Sequence, residues 1–176
     1  MNHPVATFGR MCIVLIALAV AAHGQETLPA TARRLAAADS ILSQLVSGTP
    51  QDISRRLGKP TSTVLESTVN IHDGSLDTLV RITYQQASVR LYHDVQTGRY
   101  LPALLEISDV RPLESVGMDS LSSESDLVSL FGSPQQRKQG EDAVLIYAAG
   151  PEGQNTVEFH MCCGRVARVV YLPYLD

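Results

Sequence analysis

The strongest constraint in this chain is a helix signature that occurs twice with the same punctuation. Residues 49–60 read TPQDISRRLGKP and residues 123–134 read SESDLVSLFGSP. Each opens on a hydroxyl residue suited to cap a helix N-terminus, Thr49 or Ser123. Each then places an acid at the position where a capping box needs one, Asp52 or Asp126. Each closes on a glycine, Gly58 or Gly132, that stops the helix, and then on Pro60 or Pro134, which forbids its resumption. The separation within all four pairs is constant, so the chain is expected to build one short helix twice, in equivalent settings.

The segments downstream of the two signatures are also alike. After the first, residues 64–71, 78–84, 89–93 and 100–108 carry strand composition, with turns at His72-Asp73-Gly74-Ser75 and at Gln96-Thr97-Gly98. After the second, residues 143–147, 156–161 and 166–172 do the same, with turns at residues 150–153 and 162–165. Gly98-Arg99 and Gly164-Arg165 fall in equivalent turns. Upstream, Leu35, Ala38, Leu42 and Leu45 recur at helical spacing over residues 31–46, and Gly48 ends that run. The expected fold is therefore α+β: an N-terminal helix followed by two helix-plus-antiparallel-meander repeats, with the helices on one sheet face. The expected divisions are a signal peptide at 1–24, the N-terminal helix at 25–48, repeat 1 at 49–110, a linker at 111–122 and repeat 2 at 123–176.

The signal peptide rests on the unbroken apolar run at residues 11–22, preceded by Arg10 and followed by Ala22-His23-Gly24 before Gln25. Small residues at −3 and −1 fit a cleavage site. The run falls short of the ~20 apolar residues that span a bilayer. Cys12 lies too early in it to be a lipidated N-terminus. The mature protein is thus expected to be periplasmic or secreted, without a transmembrane helix. A formal net charge of −4 argues against nucleic acid as a partner, because such binding needs a concentrated basic surface.

No nucleophile elbow, phosphate loop or His-Glu-x-x-His motif occurs, and no catalytic residue or cofactor is assigned. His72-Asp73 is read as turn chemistry and His93-Asp94 as a loop or strand edge. The candidate surface comes instead from strand alternation. If Val80, Ile82, Tyr84, Val89 and Leu91 point inward, then Arg81, Arg90 and Tyr92 point outward. If Val157, Phe159, Met161, Ala167 and Val169 point inward, then Glu158, His160 and Arg168 point outward. Arg and Tyr dominate interface hot spots, so these six residues are the expected contact surface for another protein, as yet unspecified. The alternative for the same residues is an ordinary solvated sheet face with cross-strand ion pairs.

Cys162 and Cys163 are adjacent. Their Cα atoms sit ~3.8 Å apart across a trans peptide, against ~4.4–6.8 Å in an ordinary disulfide, so a bond between them would be strained and easily reduced. Two packed thiols or an intermolecular bridge are the alternatives. His160, Met161, Cys162 and Cys163 are soft-metal ligand types. Strand alternation turns His160 and Met161 apart, however, and no metal site is assigned. The leading function is non-enzymatic protein binding, and the alternative is a thiol-redox or soft-metal-binding protein using Cys162 and Cys163.

Residues 52–60 with Gly98-Arg99, and Gly117-Met118 with residues 126–134 and Gly164-Arg165, together resemble two related groups. These are the small outer-membrane assembly lipoproteins of the SmpA/OmlA kind and the tandem-repeat β-lactamase inhibitor proteins. The resemblance covers most of residues 49–172. It implies a helix layer on one side of an antiparallel sheet, with the other side open to a protein partner in envelope assembly or inhibition. The lipid-attachment cysteine of the first group and the loop-closing disulfides of the second are missing, and the motifs specify fold better than function.

Overall fold

A computed structural model of the chain describes residues 28–69, 74, 76–139 and 142–174. The expected signal segment and the His72-Asp73 pair lie outside the described residues. Helix α1, Ala30–Val46, buries Ala38, Leu42 and Val46 along one stripe, with Leu35 and Leu45 packed beside it. Helix α2 is Pro50–Leu57 and helix α3 is Glu124–Phe131. No helix among the described residues is long and apolar enough to cross a membrane.

The two short helices are capped alike. The Thr49 hydroxyl accepts from the Asp52 N–H at 3.3 Å, and the Asp52 carboxylate accepts from the Thr49 N–H at 3.0 Å. Ser123 and Asp126 repeat this at 3.3 and 2.8 Å. Both helices end at glycines in nearly one conformation, Gly58 at φ 92, ψ −165 and Gly132 at φ 86, ψ −170, which side-chain-bearing residues resist. The corner between α1 and α2 is locked by Arg56. Its guanidinium donates to the Gln44 and Ser47 carbonyls and, at 2.8 Å, to the Ser47 hydroxyl.

Among the described residues eight strands form one antiparallel sheet: β1 Ser62–Val69, β2 Leu76–Thr83, β3 Ala87–Asp94, β4 Arg99–Ile107, β5 Gln136–Lys138, β6 Val144–Ala149, β7 Asn155–Cys162 and β8 Arg165–Leu172. Their order is β1-β2-β3-β4-β8-β7-β6-β5. Each meander thus runs outward from the central β4–β8 pair. Alternate strand residues enter one core with the helices: Val80, Ile82, Val89, Leu91, Leu105, Leu145, Phe159, Val169 and Tyr171 join Ala38, Leu42, Ile53, Leu127 and Phe131.

Three features depart from the sequence expectation. Strand β5 was not foreseen, because its three residues Gln136, Arg137 and Lys138 are polar and all exposed. The expected linker carries a 3-10 helix at Arg111–Val116 and contributes Leu113, Val116 and Met118 to the core. Ala167, expected inward, is exposed, while Val166 is buried. A β-bulge between His160 and Met161 pairs Met161 with Val166 and His160 with Arg168, so Ala167 is the extra residue and leaves the alternation.

Candidate functional site

The face opposite the core carries all six of the expected contact residues, but it does not assemble them into one patch. Cross-strand partners share a face, and the row running Val64–Arg81–Arg90–Leu104 crosses β1 to β4. Arg81 therefore stands directly opposite Arg90. Like charges in that position repel. The nearest acid, Glu66, reaches Arg81 only at 3.5 Å. The Arg81 Nε is buried and has no hydrogen-bond partner among the described residues. Arg90 has no ion pair there either. The two guanidiniums thus form a cationic spot with unmet hydrogen-bonding capacity.

Tyr92, on the same face, is engaged within the protein. Its hydroxyl donates to Asp77 Oδ2, while the Val95 N–H donates to Asp77 Oδ1 at 3.0 Å. Asp77 is 2% exposed. Tyr92 thus helps satisfy a buried carboxylate and fixes the end of β2 against the turn after β3. Asp77 was missed by sequence reasoning. An acid set among the apolar residues of a strand was the available signal, since a buried acid needs such partners.

The second group is self-paired. Arg168 donates through Nη2 to His160 Nδ1 at 3.1 Å, and His160 Nε2 lies 3.0 Å from Glu158 Oε2. A guanidinium cannot accept a hydrogen bond, so Nδ1 accepts and the ring proton sits on Nε2, donated to Glu158. Glu106 on β4, also unforeseen, lies 3.7 Å from Arg168 Nη1. Between these groups the row Ile146–Glu158–Val170–Glu106 crosses the sheet. Ile146 and Val170 are buried at 7% and 6% exposure although they face away from the core.

His93 and Asp94 do not form an acid–base pair. His93 stacks on Tyr100 with centroids 4.3 Å apart. Asp94 instead accepts from the Gln96 and Thr97 N–H groups at 2.9 and 3.1 Å, and the Thr97 hydroxyl and N–H hold its carboxyl below the ordinary value. Two of the clefts beside α2 are the roomiest there. One, of about 660 Å³, lies against β1 and β2; the other, of about 510 Å³, contains Arg56, Lys59, Asp109 and Arg111. Arg56 is committed to the α1–α2 corner, and Arg111 to Asp109 at 2.9 and 2.8 Å from its Nε. Neither cleft presents a histidine, cysteine or converging carboxylates. Among the described residues no group of three or more His, Cys, Asp or Glu side chains could hold a metal ion.

Cys162 and Cys163 are exposed free thiols with Sγ atoms 3.7 Å apart. Hydrogen bonding to Cys163 and, more weakly, the charge of nearby Asp142 push the Cys162 thiol above its ordinary pKa. Cys163 has φ 54, a left-handed conformation, as does Gly164 at φ 76.

No family model matches the chain, and no curated protein matches it. Among solved structures it is similar to a DUF4309 family protein, YjgB, from Bacillus subtilis subsp. subtilis str. 168, with a TM-score of 0.42 and 10% sequence identity over 80% of this chain and 99% of that chain. A likeness at that level carries no argument about what the chain does.

Proposed function

We propose that this is an exported, non-enzymatic module that binds another protein through the sheet face opposite its core, and that the contact surface of the partner is acidic where it meets Arg81 and Arg90. One observation carries the reading: two guanidiniums face each other across β2 and β3, with an orphaned buried Nε on Arg81 and, among the described residues, one ion-pair partner, Glu66 at 3.5 Å from Arg81, between them. An isolated protein gains nothing from that arrangement, since like charges directly opposite destabilise a sheet. A carboxylate presented by a partner would satisfy both groups in planar, bidentate geometry. Val64 and Leu104, which flank the pair in the same row, supply apolar contact around it. Two capped helices of the same design, each leading into a meander, support a duplicated helix-plus-meander unit with its helices on the core side. Envelope assembly and inhibition of a hydrolase are the two settings in which such a face would serve.

The test uses the double variant Arg81→Ser/Arg90→Ser as bait beside the unaltered protein, in an extract of exported proteins. The expected result is a partner retained by the unaltered protein and by a Lys59→Ser control, released by added salt, and lost by the double variant. The double variant should unfold at an equal or higher denaturant midpoint, because a repulsion is removed. Equal retention by all three proteins would end the proposal.

A further inference from the structure

The tip of the β7–β8 hairpin carries an unusual choice of residue. Cys162 pairs with Arg165, leaving Cys163-Gly164 as a two-residue turn with positive φ at both positions, 54 and 76. That is the requirement of a type I′ turn, for which Asn-Gly, Asp-Gly and Gly-Gly are the favoured pairs. Asparagine and aspartate tolerate the first position because their short polar side chains bond locally; cysteine has no such compensation. Cys163 therefore holds a strained conformation that the turn does not need cysteine to fill. Its thiol is exposed and lies 3.7 Å from that of Cys162, which is exposed as well.

We propose that Cys162 and Cys163 form a two-electron dithiol–disulfide couple at the hairpin tip, exchanging with small-molecule disulfides. In the closing direction the thiolate of one cysteine attacks a disulfide RSSR, forming a protein–S–S–R bond and releasing RS⁻. The neighbouring thiolate then attacks the protein sulfur of that bond. The Cys162–Cys163 bond forms, the second RS⁻ leaves, and the two thiol protons go to the two released thiolates. The protein loses two electrons and two protons, and RSSR is reduced to 2 RSH. Neighbouring Cα atoms are closer than an ordinary disulfide allows, so the ring is strained and reopens more readily than a structural disulfide. The couple is independent of the partner-binding face: Arg81 and Arg90 lie in the other meander.

The test takes the full chain with Cys12→Ser, so that only the pair reports, and equilibrates it with stepped ratios of reduced and oxidised glutathione. Free thiols are then alkylated and intact masses read. The expected result is a monomer two hydrogens lighter that takes no alkyl group, in reversible exchange with a doubly alkylated form. Half-conversion should need a more oxidising ratio than a structural disulfide does. In Cys163→Asn, which suits the turn, the remaining thiol should take up one glutathione and form no ring. Doubly alkylated protein at every ratio, two glutathiones per chain without ring closure, or disulfide-linked dimers would each overturn the proposal.

Discussion

The two meanders begin from the same helix caps but end as different surfaces. The second encloses an aromatic core in which Phe131 stacks on Phe159 at 5.4 Å and Tyr147 meets Phe159 edge-on at 5.6 Å. It is also tied to α1, because the Tyr171 hydroxyl and the Asn155 amide both donate to Asp39, at 3.1 and 2.8 Å. Its edge strand is cut to three residues, all polar. The first meander buries aliphatic strand residues, Val80, Ile82, Val89, Leu91, Leu105 and Ile107, with Tyr84 just after β2 as their buried aromatic neighbour. It ends in an eight-residue edge strand with Leu65 at 68% and Val69 at 59% exposure, beside Leu76 at 68%. Short, charged edges discourage pairing with other chains, and long apolar ones invite it. The second half therefore supplies stability, and the first half exposes the unsatisfied surface.

This contrast breaks most easily at Phe159. Phe159→Ala removes the ring shared by both aromatic contacts, in a site with no exposure, and should cost about 3–5 kcal/mol. Leu65→Ala in the first half should change stability by no more than about 0.5 kcal/mol. Urea midpoints of the two variants compare them directly. Similar losses would mean that the division of labour is wrong.

Next in size is the tie from α1. Asp39→Ala leaves the Tyr171 hydroxyl and the Asn155 amide without their buried acceptor, at an expected cost of about 1–3 kcal/mol. Burial first, and the charge of Asp39 second, raise the Tyr171 pKa above its ordinary value. Ultraviolet titration should therefore show it falling in Asp39→Ala while remaining elevated, since the larger cause is untouched. Tyr147, raised to about 12 mainly by burial, is the internal reference and should not move.

The caps test likeness rather than difference. Thr49→Ala and Ser123→Ala remove equivalent hydrogen bonds and should each cost about 1 kcal/mol. Hydrogen bonds from the Thr49 and Ser123 hydroxyls, and then from their backbone N–H groups, lower the pKa of Asp52 and Asp126 in the folded protein. A lowered folded pKa contributes stability above the unfolded value, near 3.8, and loses it as pH falls through the folded value. Unfolding midpoints of Asp52→Asn/Asp126→Asn should accordingly decline less steeply below about pH 4 than those of the unaltered chain.

Local signals made much of this fold legible. The hydroxyl–acid–glycine–proline punctuation places both short helices, and the alternation around Val80–Ile82 and Val157–Phe159 places their core faces, because each depends on neighbours in sequence. What stayed hidden depends on neighbours in space. Strand β5 is strand only because β6 supplies its hydrogen bonds, and nothing in Gln136-Arg137-Lys138 favours that state by itself. The bulge that expels Ala167 is a property of the β7–β8 pairing. Among the contact residues, alternation places Arg81 and Arg90 on the outward face. It is silent on their direct opposition, on Asp77 claiming Tyr92, and on Glu106 joining Arg168, all of which need register between strands.

The smallest expected effect lies in the hairpins that carry the Gly-Arg turns. In the first, Asp94 accepts from the Gln96 and Thr97 N–H groups, so a side chain organises the turn before Gly98 takes its positive φ. In the second the turn has only two residues, and Cys163 adopts φ 54 without a capping side chain. Cys163→Asn should recover part of the roughly 1–2 kcal/mol that a left-handed conformation costs an ordinary residue. A small rise in denaturant midpoint under reducing conditions would show that cysteine is held there against the preference of the turn. An unchanged or lower midpoint would show that the hairpin tolerates Cys163 at no cost. Strain would then no longer distinguish this turn from its counterpart, and the dithiol couple would rest on the proximity of the two sulfurs alone.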